Sequence, residues 1–263
     1  MKFKDLSISW LLHSIKILLG DESIRRYIII KKFPTLKRQL VKDIRTFNPF
    51  LQGKTREYKL KEIEKYLNYV IKFKKDIFVF TAANVQQDLE DIETHYQSFI
   101  VDNLNKKAYA IDPAFNKNAE NFVGIYYPEI TFEIIKPFLE KKGYDFQFIS
   151  LSRPAQSTTN DVFCQSWSLL ILLDLLTNNK FRGTNTEFKI PETTPKKYEM
   201  LINFYKDIFI NSMPELMVNL QEEYNGSIIH CEYENCPTKE QKKKLLAVNI
   251  PELLRKMTKS DIQ

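Results

Sequence analysis

One stretch limits the folds open to this chain more than any other: Leu169-Leu-Ile-Leu-Leu-Asp-Leu-Leu176, an octet with a single charge. Leucine dominates it and favours helix, and a helix apolar on every side has to be enclosed by other elements. Its upstream flank is Asp161-Val-Phe-Cys-Gln-Ser-Trp-Ser168, so Cys164 sits where the helix opens and where unpaired backbone N–H groups collect. That setting favours an anionic sulfur, the nucleophilic form of cysteine. A buried central helix with a thiol at its mouth is the first expectation.

The chain has 263 residues, 43% of them hydrophobic, enough to bury a full core in one large domain or a domain with a substantial extension. No stretch approaches the ~18 uninterrupted apolar residues of a membrane span. The basic start Met1-Lys-Phe-Lys4 leads into an apolar run that carries Ser14 and Lys16 and meets no small-residue cleavage site, which argues against a signal peptide. Three cysteines, with Cys164 far from Cys231 and Cys236, argue against a disulfide framework and for a reducing, cytoplasmic setting. The net charge of +6 comes from lysines spread along the chain rather than gathered in one block, which permits loose attraction to nucleic acid, an accessory for an enzyme or the ligand of a basic nucleic-acid-associated factor, without identifying it as a partner. Scarce glycine beside abundant Lys, Asn, Ile, Phe and Tyr fits an A+T-rich genome, as in many parasites and large DNA viruses.

Hydrophobic spacing divides the chain. Residues 1–75 read as a helical lobe, with Leu6, Trp10, Leu11, Ile15, Leu18 and Leu19 on one face and a second face from Leu60 to Ile71. Residues 76–263 form the second domain, with a core at 76–180 and C-terminal helices over 181–263. In the core, Ile77–Phe80, Tyr96–Val101, Lys107–Ile111 and Asp145–Ile149 are strand candidates, and Phe132–Lys142 reads as a helix ending at Gly143. Further helix is expected over Pro195–Ile210 and Thr238–Met257. Strands grouped between helices point to an α+β fold, a small and mostly antiparallel sheet packed on the central helix.

Within that core, strand alternation puts His95, Gln97, Phe99 and Val101 on one face, and Ala108, Ala110 and Asp112 on one face of the next strand. A four-residue turn at Asn103–Lys106 sets Asp102 opposite Lys107 and Gln97 opposite Asp112. His95 is then the same-face diagonal neighbour of Asp112, ~7–8 Å away between backbones. A turn one residue longer or shorter sends the two to opposite faces. Thiol catalysis needs an imidazole to take a proton, a group to hold the imidazole, and donors for the oxyanion. Cys164, His95 and Asp112 are the candidates for thiol, imidazole and holder, and Gln156 in the polar loop Ser152–Asp161 is the candidate oxyanion donor, with Asn160 as its alternative. Taken singly, each has an ordinary explanation: a cysteine in core, a structural histidine, an aspartate starting a turn before Pro113.

The order His, Asp, Cys, with a strand hairpin carrying the first two and a glutamine shortly before a cysteine that opens the central helix, resembles the ubiquitin-like-protein-specific (SUMO) protease family. Adenovirus protease and the maturation proteases of large cytoplasmic DNA viruses share that layout. The separations, 17 residues from His95 to Asp112 and 52 from Asp112 to Cys164, are similar to those of the family. The resemblance covers roughly residues 76–180. It implies that Cys164 attacks a carbonyl, His95 serves as base and then acid, Asp112 holds His95 and Gln156 lines the oxyanion hole. It further implies cleavage after a Gly-containing sequence reached through a narrow channel, with no cofactor. Tyr96 matches the aromatic that follows the family's histidine, and Trp167 packs beneath the site, with substrate contact as its other reading. The chain departs from the family in having Phe163-Cys164-Gln165 where Asp-Cys-Gly is usual, and in placing Gln156 eight positions before Cys164.

The expected activity is that of a cysteine peptidase or isopeptidase cutting protein precursors, in host cytoplasm or virion if the source is viral. The alternatives are an isopeptidase removing ubiquitin or a ubiquitin-like modifier from host proteins, and an inactive protease fold serving as a binding or structural protein. No metal site is expected, since His230, Cys231 and Cys236 lack a fourth ligand for zinc. Trp10 and His13 read as helix core.

Overall fold

The apolar octet is enclosed, as its composition requires: only Leu170 and Asp174 within it keep partial exposure. The computed structural model describes residues 3–38, 43–48, 53–72, 76–87, 92–116, 121–122, 130–156, 161–183, 187–231 and 236–262. In chain order the elements are α1 (Phe3–Gly20), α2 (Glu22–Lys32), β1 (Asp43–Asn48), α3 (Gly53–Lys72), β2 (Ile77–Gln87), β3 (Ile92–Asp102), β4 (Lys107–Ile111), β5 (Phe115–Asn116) and β6 (Asn121–Phe122). They continue with a π-helical turn (Ile130–Ile135), α4 (Lys136–Lys141), β7 (Asp145–Phe148), β8 (Ser150–Leu151), α5 (Cys164–Leu176), β9 (Glu187–Phe188), α6 (Thr194–Lys206), α7 (Leu216–Ile229), α8 (Lys239–Leu246) and α9 (Ile250–Lys256).

The fold is α+β, built on a five-stranded sheet in the order β1-β2-β3-β4-β7. The inner pairings β2–β3 and β3–β4 are antiparallel, and the outer pairings β1–β2 and β4–β7 are parallel. One face of the sheet presents Phe78, Phe80, Phe99 and Val101 to Leu67 and Val70 of α3 and Leu139 of α4. Phe80 and Phe99 stack at 4.8 Å, and Tyr66 meets Phe80 edge-on. The other face receives α5, which packs across β3 and β4 and is tied to β3 by a hydrogen bond between the Ser98 and Ser168 hydroxyls.

The β3–β4 hairpin has the register that a four-residue turn dictates, with Asp102 opposite Lys107 and Ser98 opposite Ile111. Lys106 closes the turn at φ 53°, a left-handed conformation that side chains other than glycine and asparagine adopt at a cost of roughly 1 kcal/mol. The fully buried Asp102 carboxylate holds the turn. It accepts from the Asn105 backbone N–H (3.2 Å) and side-chain amide (2.8 Å), and from Arg182 through Nε (2.7 Å) and Nη2 (3.1 Å). Arg182 arrives there because the chain leaves α5 through Asn178 and Asn179, both at positive φ, and folds back with Phe181 packed edge-on against Tyr109 of β4.

Several elements differ from the periodicity reading. The Phe132–Lys142 helix begins as a wider π turn, and Thr238–Met257 is two helices, because Asn249 accepts from Glu252 N and starts α9 anew after Ala247. β1 lies in the stretch read as helical, and α7 was not foreseen between the two C-terminal helices. Cys231 and Cys236 form a disulfide with 5.7 Å between their Cα atoms, a single local bridge rather than a framework. The odd count excludes pairing of all three cysteines but leaves a local bridge open, and Cys164 is the free one.

Two compact units divide the chain, along lines other than a cut at residue 75: Met1–Ile28 with Pro191–Gln263, and Ile29–Ile190. In the first, α1 packs along α7, burying Leu11, Ile15, Leu220 and Ile228, with Ser14 Oγ 3.4 Å from Ser227 Oγ. The second holds the sheet, α3, α4 and α5. Among the described residues no helix is long and apolar enough to cross a membrane.

Replacing Asp102 by Ala leaves Arg182 without its carboxylate and frees the turn, so the equilibrium stability falls by on the order of 2 kcal/mol in urea titration. Burial opposes the charge on Asp102, but hydrogen bonds from Arg182 and Asn105 and the Arg182 charge outweigh it and hold its pKa below the ordinary value. Its contribution is therefore present above the ordinary carboxylate pKa and is lost as pH falls through the folded one. The gap between wild type and Asp102→Ala should accordingly narrow in acid.

Candidate active site

β3 carries His95 on the face shared with Gln97 and Phe99, while Asp112 follows the last residue of β4. The register makes them neighbours: His95 Nε2 lies 2.9 Å from Asp112 Oδ1, with the histidine 7% and the aspartate 1% exposed. A carboxylate accepts, so Nε2–H is the donor and Nδ1 is the ring nitrogen left over, while Cys164 lies near enough to the ring to raise its pKa.

Cys164 reaches this imidazole from across the sheet. α5 packs on the opposite face, beside Tyr96 and Ala83, and its first residue projects to the strand where His95 begins. The Cys164 Sγ–H points to the Thr94 carbonyl at 3.3 Å and to Gln165 Oε1 at 3.5 Å. No side chain caps the start of α5, the end that carries Cys164, and the first N–H groups of a helix have no intrahelical acceptor. The loop entering α5 is held by Asp161, which accepts from Phe163 N (3.0 Å) and from the Trp167 indole N–H (3.2 Å).

The electrostatics of His95 follow from two opposed effects. Burial, the largest, pushes its pKa down. The Asp112 charge and hydrogen bond, with smaller support from Cys164, together outweigh burial and raise it to about 10. The ring is therefore an imidazolium at neutral pH, with the carboxylate on Nε2 and the Cys164 sulfur close by. That arrangement suits an ion pair with a thiolate, in which the proton needed by a leaving amine is already on the ring.

The other candidates from the sequence are distributed around this centre. The Gln156 amide Nε2 donates to the Asp161 carbonyl and its backbone N–H to Pro113 O (2.9 Å), which ties the loop to the residue after Asp112. Asn160 lies outside the described residues. Tyr96 is 5% exposed, in the cluster with Cys164. Trp167 has no exposed surface, its indole N–H being given to Asp161. Among the described residues no group of three or more His, Cys, Asp or Glu side chains is placed to hold a metal ion.

Two site residues carried no assigned role in the sequence. Gln97, fully buried, donates its amide to Asp112 Oδ2, and Thr131, also fully buried, donates its hydroxyl to Gln97 Oε1. Gln97 was legible as the residue opposite Asp112. Nothing in the sequence near Thr131 signalled its approach, which depends on the π turn packing against the sheet.

No protein-family model matches the chain, and no curated protein matches it in sequence. Among solved structures, it is similar to crystal structures of the Legionella pneumophila effector protein RavZ. One shares 12% identity at a TM-score of 0.35, covering 76% of this chain and 60% of RavZ. A second shares 14% at 0.36, covering 78% and 60%. A third, of RavZ in complex with human LC3B, shares 15% at 0.31, covering 76% and 58%. The chain thus spans about three fifths of the RavZ chains it matches.

Asparagine at position 112 removes the carboxylate charge, so burial dominates and the His95 pKa drops below its ordinary 6.5. NMR titration of the imidazoles reads this directly, with His13 and His230 as internal references. Because the folded pKa is raised, the stabilisation by protonated His95 is complete below pH 6.5 and disappears as pH rises through about 10. The wild-type advantage in melting temperature over Asp112→Asn should shrink across that window. A His95 titration that is indifferent to Asp112→Asn would contradict the pairing.

Proposed function

We propose that the chain is a cysteine peptidase or isopeptidase in which Cys164 is the nucleophile, His95 the proton carrier and Asp112 the residue that orients and charges it. The observation that supports this reading is the buried His95–Asp112 hydrogen bond of 2.9 Å, with Cys164 at the tip of α5 near enough to the same ring to raise its pKa.

The chemistry runs in two halves. In the first, the sulfur bonds to the substrate carbonyl carbon, the His95 imidazolium gives its proton to the departing amine, and the C–N bond breaks to leave a thioester. In the second, water bonds to the thioester carbon as neutral His95 takes its proton, the C–S bond breaks to release the acid and the thiolate, and the proton stays on the ring to restore the starting pair. The oxyanion in each half is stabilised by the first N–H groups of α5, joined by the Gln156 amide. The latter has two N–H bonds and uses one on Asp161 O.

Cys164 is 3% exposed, which favours a substrate delivered as an extended strand with small residues at the scissile bond. Of the substrate classes, we put a ubiquitin-like conjugate first, since the order and spacing of His95, Asp112 and Cys164 resemble the ubiquitin-like-protein-specific proteases. Cleavage of a precursor protein is the other class.

Cys164→Ala should reduce cleavage to background, and Asp112→Asn should lower kcat by on the order of 10²–10⁴. A panel of ubiquitin-like proteins bearing a C-terminal electrophile should label wild type at Cys164 and leave Cys164→Ala unmodified. Cleavage of Gly-containing precursor peptides with no labelling in the panel would transfer the assignment to precursor processing. Full activity in Cys164→Ala would end both.

A further inference from the structure

We propose that Gln97 and Thr131 are positioning residues that hold the Asp112 carboxylate in the orientation presenting Oδ1 to His95, an inference that rests on the thiol, imidazole and carboxylate reading above. Asp112 stands one residue beyond β4, so the ladder that fixes His95 does not fix the aspartate side chain. The terminal torsion of an aspartate is broad and nearly two-fold, and a carboxylate held at one oxygen alone swings readily.

Asp112 is held at both oxygens. Oδ1 accepts from His95 Nε2 (2.9 Å) and from the Ala114 backbone N–H (2.8 Å), while Oδ2 accepts from the Gln97 amide. The amide has one possible orientation here. Oδ2 is an acceptor, so Nε2 must face it, and Oε1 then requires a donor on its other side, which the Thr131 hydroxyl supplies. Hydroxyl, amide, carboxylate and imidazole therefore form one line of hydrogen bonds that converges on the Asp112 carboxylate from both sides, and the hydroxyl and amide are fully buried.

Burial makes this arrangement informative. Gln97 and Thr131 have no exposed surface, and each hydrogen bond left unmade there costs roughly 1–3 kcal/mol. Apolar residues at both positions would pack on the Phe80–Phe99 face without that liability, so an all-polar relay contributes orientation more than stability. Thr131 comes from the π turn at Ile130–Ile135, an element enriched at functional sites.

The test uses the full chain carrying Gln97→Met, which keeps length and removes both amide groups, and Thr131→Val with Thr131→Ser as the conservative partner. With the substrate found by labelling or cleavage, Gln97→Met should lower kcat about 10- to 100-fold with KM changed less than about twofold. Thr131→Val should lower kcat in the same direction, and Thr131→Ser should restore it. The readout independent of activity is the NMR titration of His95 in the Cys164→Ala background, where Gln97→Met should lower its midpoint by about one pH unit or more. Folded Gln97→Met with unchanged His95 titration overturns the inference, as does Thr131→Val matching Thr131→Ser in that titration should Gln97→Met not fold. Absence of any hydrolytic activity overturns the functional reading and leaves this titration to judge the clamp by itself.

Discussion

Hairpin register is the constraint on which the rest depends. Side chains alternate along a strand, so a one-residue slip between β3 and β4 would turn Asp112 away from His95 and separate carboxylate from imidazole. The protein commits heavily to preventing that slip: Asp102 takes four hydrogen bonds from Asn105 and Arg182, and Lys106 accepts a left-handed backbone to close the loop. Asn103 adds a backbone bond to Asp76 O and accepts from the Tyr144 hydroxyl, joining the turn to the entry of β2 and to β7. These contacts sit at the far end of the hairpin from His95, and rigid strands carry their effect to the site.

Much of this is legible in the sequence, because it is local. The apolar octet announced a buried helix, alternation announced β3 and β4, and the polar Asn103–Lys106 stretch announced a turn of the length that pairs Asp102 with Lys107. What escaped depends on long-range packing. β1 has a short pattern with no bounding signal and pairs parallel to β2, a connection that adjacent sequence cannot encode. The grouping of α1 with α7 brings together residues about 200 apart, as Ser14 and Ser227 show, and periodicity says which face is apolar but not what covers it. At the site, the His95–Asp112 neighbourhood followed from spacing, whereas Thr131 on its π turn and Asp161 under the Trp167 indole depend on loops whose paths only the fold defines.

Sheet and helix meet the site from opposite faces. His95 and Asp112 belong by alternation to the side packed against α3 and α4, and Cys164 to the side packed against α5. The thiol and ring meet only because the cysteine is the first residue of its helix and lies over the Thr94 carbonyl, where β3 leads into His95. A cysteine one turn further along would be sealed against Ser98 and Ile100 as ordinary core.

That dependence makes α5 a ruler. The helix has 13 residues, roughly 20 Å at 1.5 Å each, and is pinned near its middle at Ser168 and just beyond its end, where Arg182 grips the hairpin. Inserting one residue between Cys164 and Ser168 would rotate the sulfur by roughly 100° about the helix axis while leaving the Ser168 and Arg182 anchors intact. The spacing from Cys164 to Ser168 is thus under a tighter limit than the composition of the helix, and chains sharing the arrangement should vary in which apolar residues fill α5 but not in the number that separates sulfur from anchor.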